Sequence, residues 1–183
     1  MGHPDPIAFT IFGIDIRWYG ILIAFGMMTA VLISCKRAPR HGITDDDVLD
    51  LFIPSVALAQ AIGRWGNFFN GEAHGGPTDL PWGILVDGVK VHPTFLYESI
   101  WCVILFIALS YYDRHIRTAN GQTFSLYLIF YSLERFFVEA LRTDSLMIGP
   151  FKQAQVISLC AMAAGIMLYI YSTKHLPLNE ENK

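Results

Sequence analysis

WYGILIAFGMMTAVLISC, Trp18 to Cys35, runs for eighteen residues without a single charge. That is enough helix to cross most of a hydrocarbon layer of about 30 Å. Gly20 and Gly26 are tolerated in such spans, and Trp18 and Tyr19 sit where an aromatic interface belt belongs. Asp5 and Asp15 precede the run, while Lys36, Arg37 and Arg40 follow it. A cleaved secretory signal carries its charges the other way round, so the run is expected to be retained, with its start outside and its basic end in the cytoplasm.

Working outward, four further apolar stretches follow: Val48 to Ile62, Phe95 to Tyr112, Thr123 to Leu141 and Ala154 to Ser172. The expected fold is an all-α integral membrane protein of about five transmembrane helices. Residues 1–176 would form a single polytopic domain, with spans at 18–35, 48–62, 95–112, 123–141 and 154–172, and residues 177–183 a cytoplasmic tail. The second stretch, with Pro54 and Gln60 inside about 15 residues, is short for a span and would have to tilt, thin the bilayer or stay partly buried. The clusters Lys36, Arg37, Arg40, then Arg114, Arg117, then Lys174 all fall on the cytoplasmic side of this alternation. It leaves an exposed outer loop, Gly71 to Val91, rich in Gly and Pro.

Composition agrees with a lipid solvent. Of 183 residues 53% are hydrophobic and only 16% charged, against roughly 25% charged in ordinary soluble domains. A net charge of -3 offers no basic footprint, which argues against a nucleic-acid partner. Cys35, Cys102 and Cys160 lie far apart in apolar surroundings and lack zinc-site spacing, so they read as packing residues, with no metal site and no cofactor expected.

The alternation also gathers Arg64, Glu72, His92, Arg135, Glu139, Arg142 and Asp144 at the outer end, and charges beside a bilayer are costly enough to mark function. In Gly63-Arg64-Trp65-Gly66-Asn67-Phe68-Phe69-Asn70-Gly71-Glu72, three glycines permit tight or left-handed backbone beside a guanidinium, two amides and a carboxylate. This suits an anionic lipid headgroup, since Arg matches a phosphate in two-point fashion; it equally suits an interfacial turn with a snorkelling Arg64. In His92-Pro93-Thr94-Phe95-Leu96-Tyr97-Glu98, Pro93 opens a helix and Glu98 lies near its positive end, so capping accounts for most of the motif. His92 is either an outer proton carrier or a loop residue. Along the fourth stretch Tyr131, Arg135, Glu139 and Arg142 fall within about 80° of one another on a helix. That stripe either faces protein or a water-filled cavity or is an internal Arg135–Glu139 pair that holds the bundle together. No HExxH helix, GxSxG elbow or P-loop lysine is present, and phosphate held as a leaving group fits these residues best.

GRWGNFFNGE at 63–72, HPTFLYE at 92–98, RFFVEALRTDSLMIGPF at 135–151 and IRWYG at 16–20 resemble the bacterial prolipoprotein diacylglyceryl transferases. The resemblance extends to about Leu176. It implies a multi-pass enzyme of the bacterial plasma (inner) membrane, N-terminus outside and C-terminus cytoplasmic. Such an enzyme moves the diacylglyceryl group of phosphatidylglycerol to the lipobox cysteine thiol of a prolipoprotein, leaving glycerol phosphate. Its partners would be phosphatidylglycerol, the prolipoprotein signal peptide and membrane lipid. By the same resemblance Arg64 binds the lipid phosphate, Asn67, Asn70 and Glu72 shape the headgroup pocket, and Tyr19 and Arg142 join the substrate-binding set. Arg135 would steady the departing phosphate, with Tyr131 and Glu139 assisting protons or orientation.

The chain departs from the family pattern at one place. Asp47 to Phe52 looks like the start of the family's second span and Ile53 to Ile62 like the end of a later one, so the two are fused near Phe52-Ile53 and the intervening His-Gly-Gly loop is missing. His74-Gly75-Gly76 has the same letters but lies after Glu72, among different neighbours. An even number of removed crossings keeps the downstream orientation. The alternative reading is a non-catalytic phospholipid-binding remnant or assembly partner.

Overall fold

The computed structural model describes residues 7–11, 14–17, 32, 45–69, 74–143 and 145–178. Apart from residue 32, the span expected at 18–35 lies outside the described residues, as do Tyr19, Asn70, Glu72 and Asp144. The chain divides into two compact units, Met1–Val48 and Leu49–Lys183.

The described part of the first unit is chiefly an antiparallel hairpin of β1 (Ile7–Ile11) and β2 (Ile14–Arg17), which pairs Ile11 with Ile14 and Phe9 with Ile16. The second unit is mostly helical. It is built from α1 (Asp45–Phe69), α2 (Thr94–His115), α3 (Gln122–Leu141) and α4 (Gln153–His175). Two small hairpins interrupt the helices: β3 (Ile84–Val86) with β4 (Val89–Val91), turned by Asp87-Gly88, and β5 (Met147–Ile148) with β6 (Phe151–Lys152). The all-helical expectation therefore misses these short strands, although Asp-Gly between two β-branched runs is a hairpin signal.

The larger correction concerns α1. The stretch expected to end at Ile62 continues as helix to Phe69, passing through Pro54, Gly63 and Gly66. Neither Gly63 nor Gly66 takes a left-handed φ, so the interfacial turn offered as one of the two readings is helical as far as Phe69. Two glycines cost a helix about 1 kcal/mol each. Ring contacts offset that cost: Trp65 meets Phe95 edge-on with centroids 5.4 Å apart, and Phe68 stacks on Phe95 at 4.7 Å. The result is a candidate span of 21 residues, Val48–Phe68, with no need to thin the bilayer.

Among the described residues, three helices are long and apolar enough to cross a membrane: Val48–Phe68, Thr94–His115 and Gln153–His175. The fourth expected stretch is the helix α3, whose second half carries Glu134, Arg135 and Glu139. Large apolar side chains such as Ile62, Ile107, Phe137 and Met167 stand exposed on the helices, as a lipid-facing surface requires.

The core is a cluster of Ile53 and Ala57 from α1, Leu105 and Leu109 from α2, and Tyr127 from α3. In lipid, apolar burial does not drive helices together; close packing and polar pairing do. Gly165 shows the first of these. A Cβ there would lie 2.9 Å from Ile129 and 3.0 Å from the Ser125 carbonyl oxygen, so α4 approaches α3 too closely for any side chain.

Asp50 shows the second. Fully buried on α1, it accepts hydrogen bonds from the backbone N–H groups of Gly121 at 2.6 Å and Phe124 at 2.8 Å and from Arg117 Nη1 at 3.1 Å. A carboxylate from another helix thus serves the open donors at the start of α3. Beside it the Gln122 Oε1 accepts from the backbone N–H groups of Thr118 and Ala119 and from Tyr112 Oη, while Gln122 Nε2 donates to Thr173 Oγ1. The chain after α4 folds back here, Leu178 N donating to the Thr118 carbonyl oxygen at 3.0 Å.

Candidate functional site

At the other end of the bundle the charged residues of three helices meet. Glu98 is the centre: its side chain is 1% exposed, and each carboxylate oxygen takes a different arginine. Arg64 Nη2 of α1 lies 2.6 Å from Oε2, and Arg135 Nη1 of α3 lies 3.3 Å from Oε1. Arg64 Nη2 also donates to Tyr131 Oη at 3.2 Å, and Arg135 Nη2 pairs with Glu139 Oε2 at 2.8 Å. Tyr131 is held in turn by stacking on Tyr127, the ring planes within 11°.

Local packing explains why these groups converge. Ser99, next to Glu98, donates to the Ala61 carbonyl oxygen at 2.9 Å and accepts from Trp65 Nε1 at 3.2 Å, docking α2 against the last turns of α1. Arg64 lies between those two contacts and is thereby turned inward. Two guanidiniums about a fifth exposed are thus fixed on one carboxylate, in a poorly solvated site where charge is strongly felt.

A cavity here holds about 320 Å³ and is lined by Arg135, Glu139, Arg142, Ser145 and Gln153 among others. Near it the Lys152 ammonium donates to the carbonyl oxygens of Glu139 and Arg142, each at 2.7 Å. A lysine there satisfies the open acceptors at the C-terminus of α3 and opposes its negative end. On the other side the loop after the first motif is pinned against the end of α3. Gly75 bridges to Arg142 and donates to the His92 carbonyl oxygen at 2.9 Å, and Gly76 donates to that of Leu141 at 2.9 Å. A Cβ on Gly75 would fall 2.6 Å from that of His92, so only glycine fits.

Of the residues singled out from sequence, Arg64, Tyr131, Arg135 and Glu139 are joined by direct contacts, and Arg142 lines the same cavity as Arg135 and Glu139. Asn67 is half-buried one turn beyond Arg64 and joins none of these contacts. Tyr19, Asn70 and Glu72 fall outside the described residues. The two readings offered for the polar stripe both hold, since Arg135 pairs with Glu139 on its own helix and also reaches across to Glu98. Capping, by contrast, does not describe Glu98: it lies beyond the first turn of α2, where no acidic residue stands, and is bound by two arginines. Sequence reasoning also passed over Glu134, whose carboxylate is buried within the same cluster. A carboxylate inside an otherwise apolar stretch was the available signal. His92, whose Nδ1 lies 3.4 Å from Tyr97 Oη, belongs to a separate chain of contacts running on to Trp82.

The family model for prolipoprotein diacylglyceryl transferase matches residues 6–53 and again 46–171 of this sequence. The chain belongs to that family. A phosphatidylglycerol--prolipoprotein diacylglyceryl transferase of Clostridioides difficile (strain 630) is 42% identical over 239 aligned positions, covering 93% of this chain and 96% of the relative. One from Finegoldia magna is 36% identical over 97% of this chain and 99% of its own length. One from Bacillus cereus (strain 03BB102) is 44% identical over 88% of this chain but 64% of its own. An alignment of 239 positions exceeds the 183 residues available, so the Clostridioides relative carries residues that this chain lacks. The two matched pieces of the family model meet within 46–53, around the fusion expected near Phe52-Ile53.

Proposed function

We propose that this protein transfers the diacylglyceryl group of phosphatidylglycerol to the lipobox cysteine thiol of a prolipoprotein. The observation that carries this reading is the pair Arg64 and Arg135, brought from two family motifs to the two oxygens of one buried carboxylate. The thiolate attacks the glyceryl carbon, its C–O bond to phosphate breaks, and the electron pair leaves on the phosphate. Two fixed guanidiniums meet that developing charge without reorganising. In this reading Arg64 holds the lipid phosphate and Arg135 steadies its departure. Tyr131 and Glu139 orient the two arginines, and Arg142 faces the headgroup from the cavity rim. Asn67, Asn70, Glu72 and Tyr19 complete the substrate-binding set, as the resemblance implies.

The same reading sets the protein in the plasma membrane as one polytopic domain over 1–176 with about five spans, the first at 18–35 and the fourth in α3. The N-terminus lies outside, and the tail 177–183 lies in the cytoplasm. The arginine cluster and the loop containing β3 and β4 then share the outer side, where a secreted lipobox peptide presents its thiol. The positive-inside distribution of Lys36, Arg37, Arg40, Arg114, Arg117 and Lys174 supports that orientation.

The test is to incubate the purified chain with phosphatidylglycerol vesicles and a lipobox peptide and to weigh the peptide. A gain of one diacylglyceryl group is expected. The segment missing around residue 52 favours the second reading, a lipid-binding remnant; retained phosphatidylglycerol with no mass gain would establish that and overturn the transferase.

A further inference from the structure

The arginines leave one carboxylate out. Arg64 and Arg135 are engaged by Glu98, Glu139 and the Tyr131 hydroxyl, whereas Glu134 is 6% exposed and neither of its oxygens has a hydrogen-bond partner among the described residues. A buried polar atom without a partner is rare enough in folded proteins to need an explanation, and two on one carboxylate more so. Its electrostatic neighbours are Arg64 of α1, Glu98 and Cys102 of α2, and Arg135 of its own helix. It stands three positions after Tyr131, which sets the two about 60° apart around α3. Two cations thus face three carboxylates, and two of those carboxylates are paired. With the hydrogen bonds of both arginines directed to other groups, the buried Glu134 carboxylate is free to exchange a proton.

We propose that Glu134 is the proton acceptor of the transfer site. The inference rests on the transferase reading above. The S–H bond of the incoming thiol breaks and its proton moves to the Glu134 carboxylate. The sulfur then forms its bond to the glyceryl carbon as the C–O bond breaks, with the electron pair leaving on the phosphate between Arg64 and Arg135. The proton passes on to the released glycerol phosphate, a monoester carrying one more negative charge than the diester it came from, and the carboxylate is restored. A thiol is only a few per cent ionised near neutrality, so a positioned acceptor raises the supply of the nucleophile.

The test is single-turnover transfer from phosphatidylglycerol vesicles to a lipobox peptide, followed from about pH 6 to about pH 9 with the full chain and Glu134→Gln. The glutamine keeps the shape and removes the proton exchange. Glu134→Gln is expected to be roughly 100-fold slower at neutral pH, the ordinary contribution of a positioned base. It should recover about tenfold per pH unit towards the thiol's own ionisation near ~8.5, while phosphatidylglycerol retention stays unchanged. Glu134→Asp, which keeps the carboxylate, should regain most of the rate. A rate within about threefold of the parent, or a loss equal at every pH, would overturn the proposal. If the parent chain itself transfers nothing, the transferase reading fails separately. Infrared spectroscopy then decides for Glu134: a carboxylic-acid band that comes and goes on pH cycling and is absent from Glu134→Gln supports proton exchange, and no such band between about pH 5 and about pH 10 overturns it.

Discussion

The two ends of the helical unit are both polar and buried, yet they are built to opposite rules. At the Asp50 end the carboxylate has three donors, and the Gln122 amide is engaged through both its oxygen and its nitrogen. At the Glu98 end the ions are paired, but a surplus carboxylate remains, a cavity opens beside them and both arginines are partly exposed. Complete satisfaction makes a network rigid and specific, whereas incomplete satisfaction leaves groups available to something that is not part of the chain. The first end is organised as structure and the second as a site.

That contrast can be broken in order of effect. Asp50→Ala should be the most damaging to the fold, because it removes the acceptor of Arg117 Nη1 and of the donors at the start of α3. A loss of about 3–5 kcal/mol is expected, read by denaturant titration in detergent. A loss under about 1 kcal/mol would mean that water or a neighbour replaces the carboxylate and that the two ends are less different than they look. Arg135→Ala should do the reverse: transfer falls by about 100-fold, corresponding to roughly 2.7 kcal/mol of transition-state stabilisation, while the unfolding midpoint moves little. Equal losses of stability and transfer would reclassify the Glu98 cluster as structural. Gly165→Leu, forced between Ile129 and the Ser125 carbonyl oxygen, should cost about 1–3 kcal/mol of stability by driving α4 from α3. Tyr127→Phe removes a donor that lies 2.8 Å from Gln60 Oε1 in the core. About 1 kcal/mol of stability should go with it, and transfer should stay within twofold, since the stacking under Tyr131 survives.

The parts of this arrangement that could be read from the sequence are those whose causes are local. α2 and α4 extend only a few residues beyond the apolar runs 95–112 and 154–172, because an uncharged run in lipid has no alternative to helix. The end of α1 was hidden because Gly63 and Gly66 are helix breakers by local rules, and what overrules them is Phe95, about thirty residues away in the chain. Glu98 was hidden for the same reason. Its position near a helix start suggests a dipole effect, while its actual partners stand 34 residues before it and 37 after it. Arg64, Tyr131, Arg135 and Glu139 could be picked out as a set because three share one helical stripe and the fourth lies in a family motif. No local pattern foretold that one carboxylate would join them.

Asp50 and Arg64 stand on the same helix, fourteen residues apart, one tied into the satisfied clasp and the other into the site. At 1.5 Å and about 100° per residue they are about 21 Å apart and within about 40° of one face. The fusion point near Phe52-Ile53 falls between them. α1 therefore acts as a ruler and a protractor at once: one residue more or fewer at the join would swing Arg64 by about 100° and carry it away from Glu98. The pairing of Arg64 with Glu98 thus depends on the number of residues that separate it from Asp50 along α1.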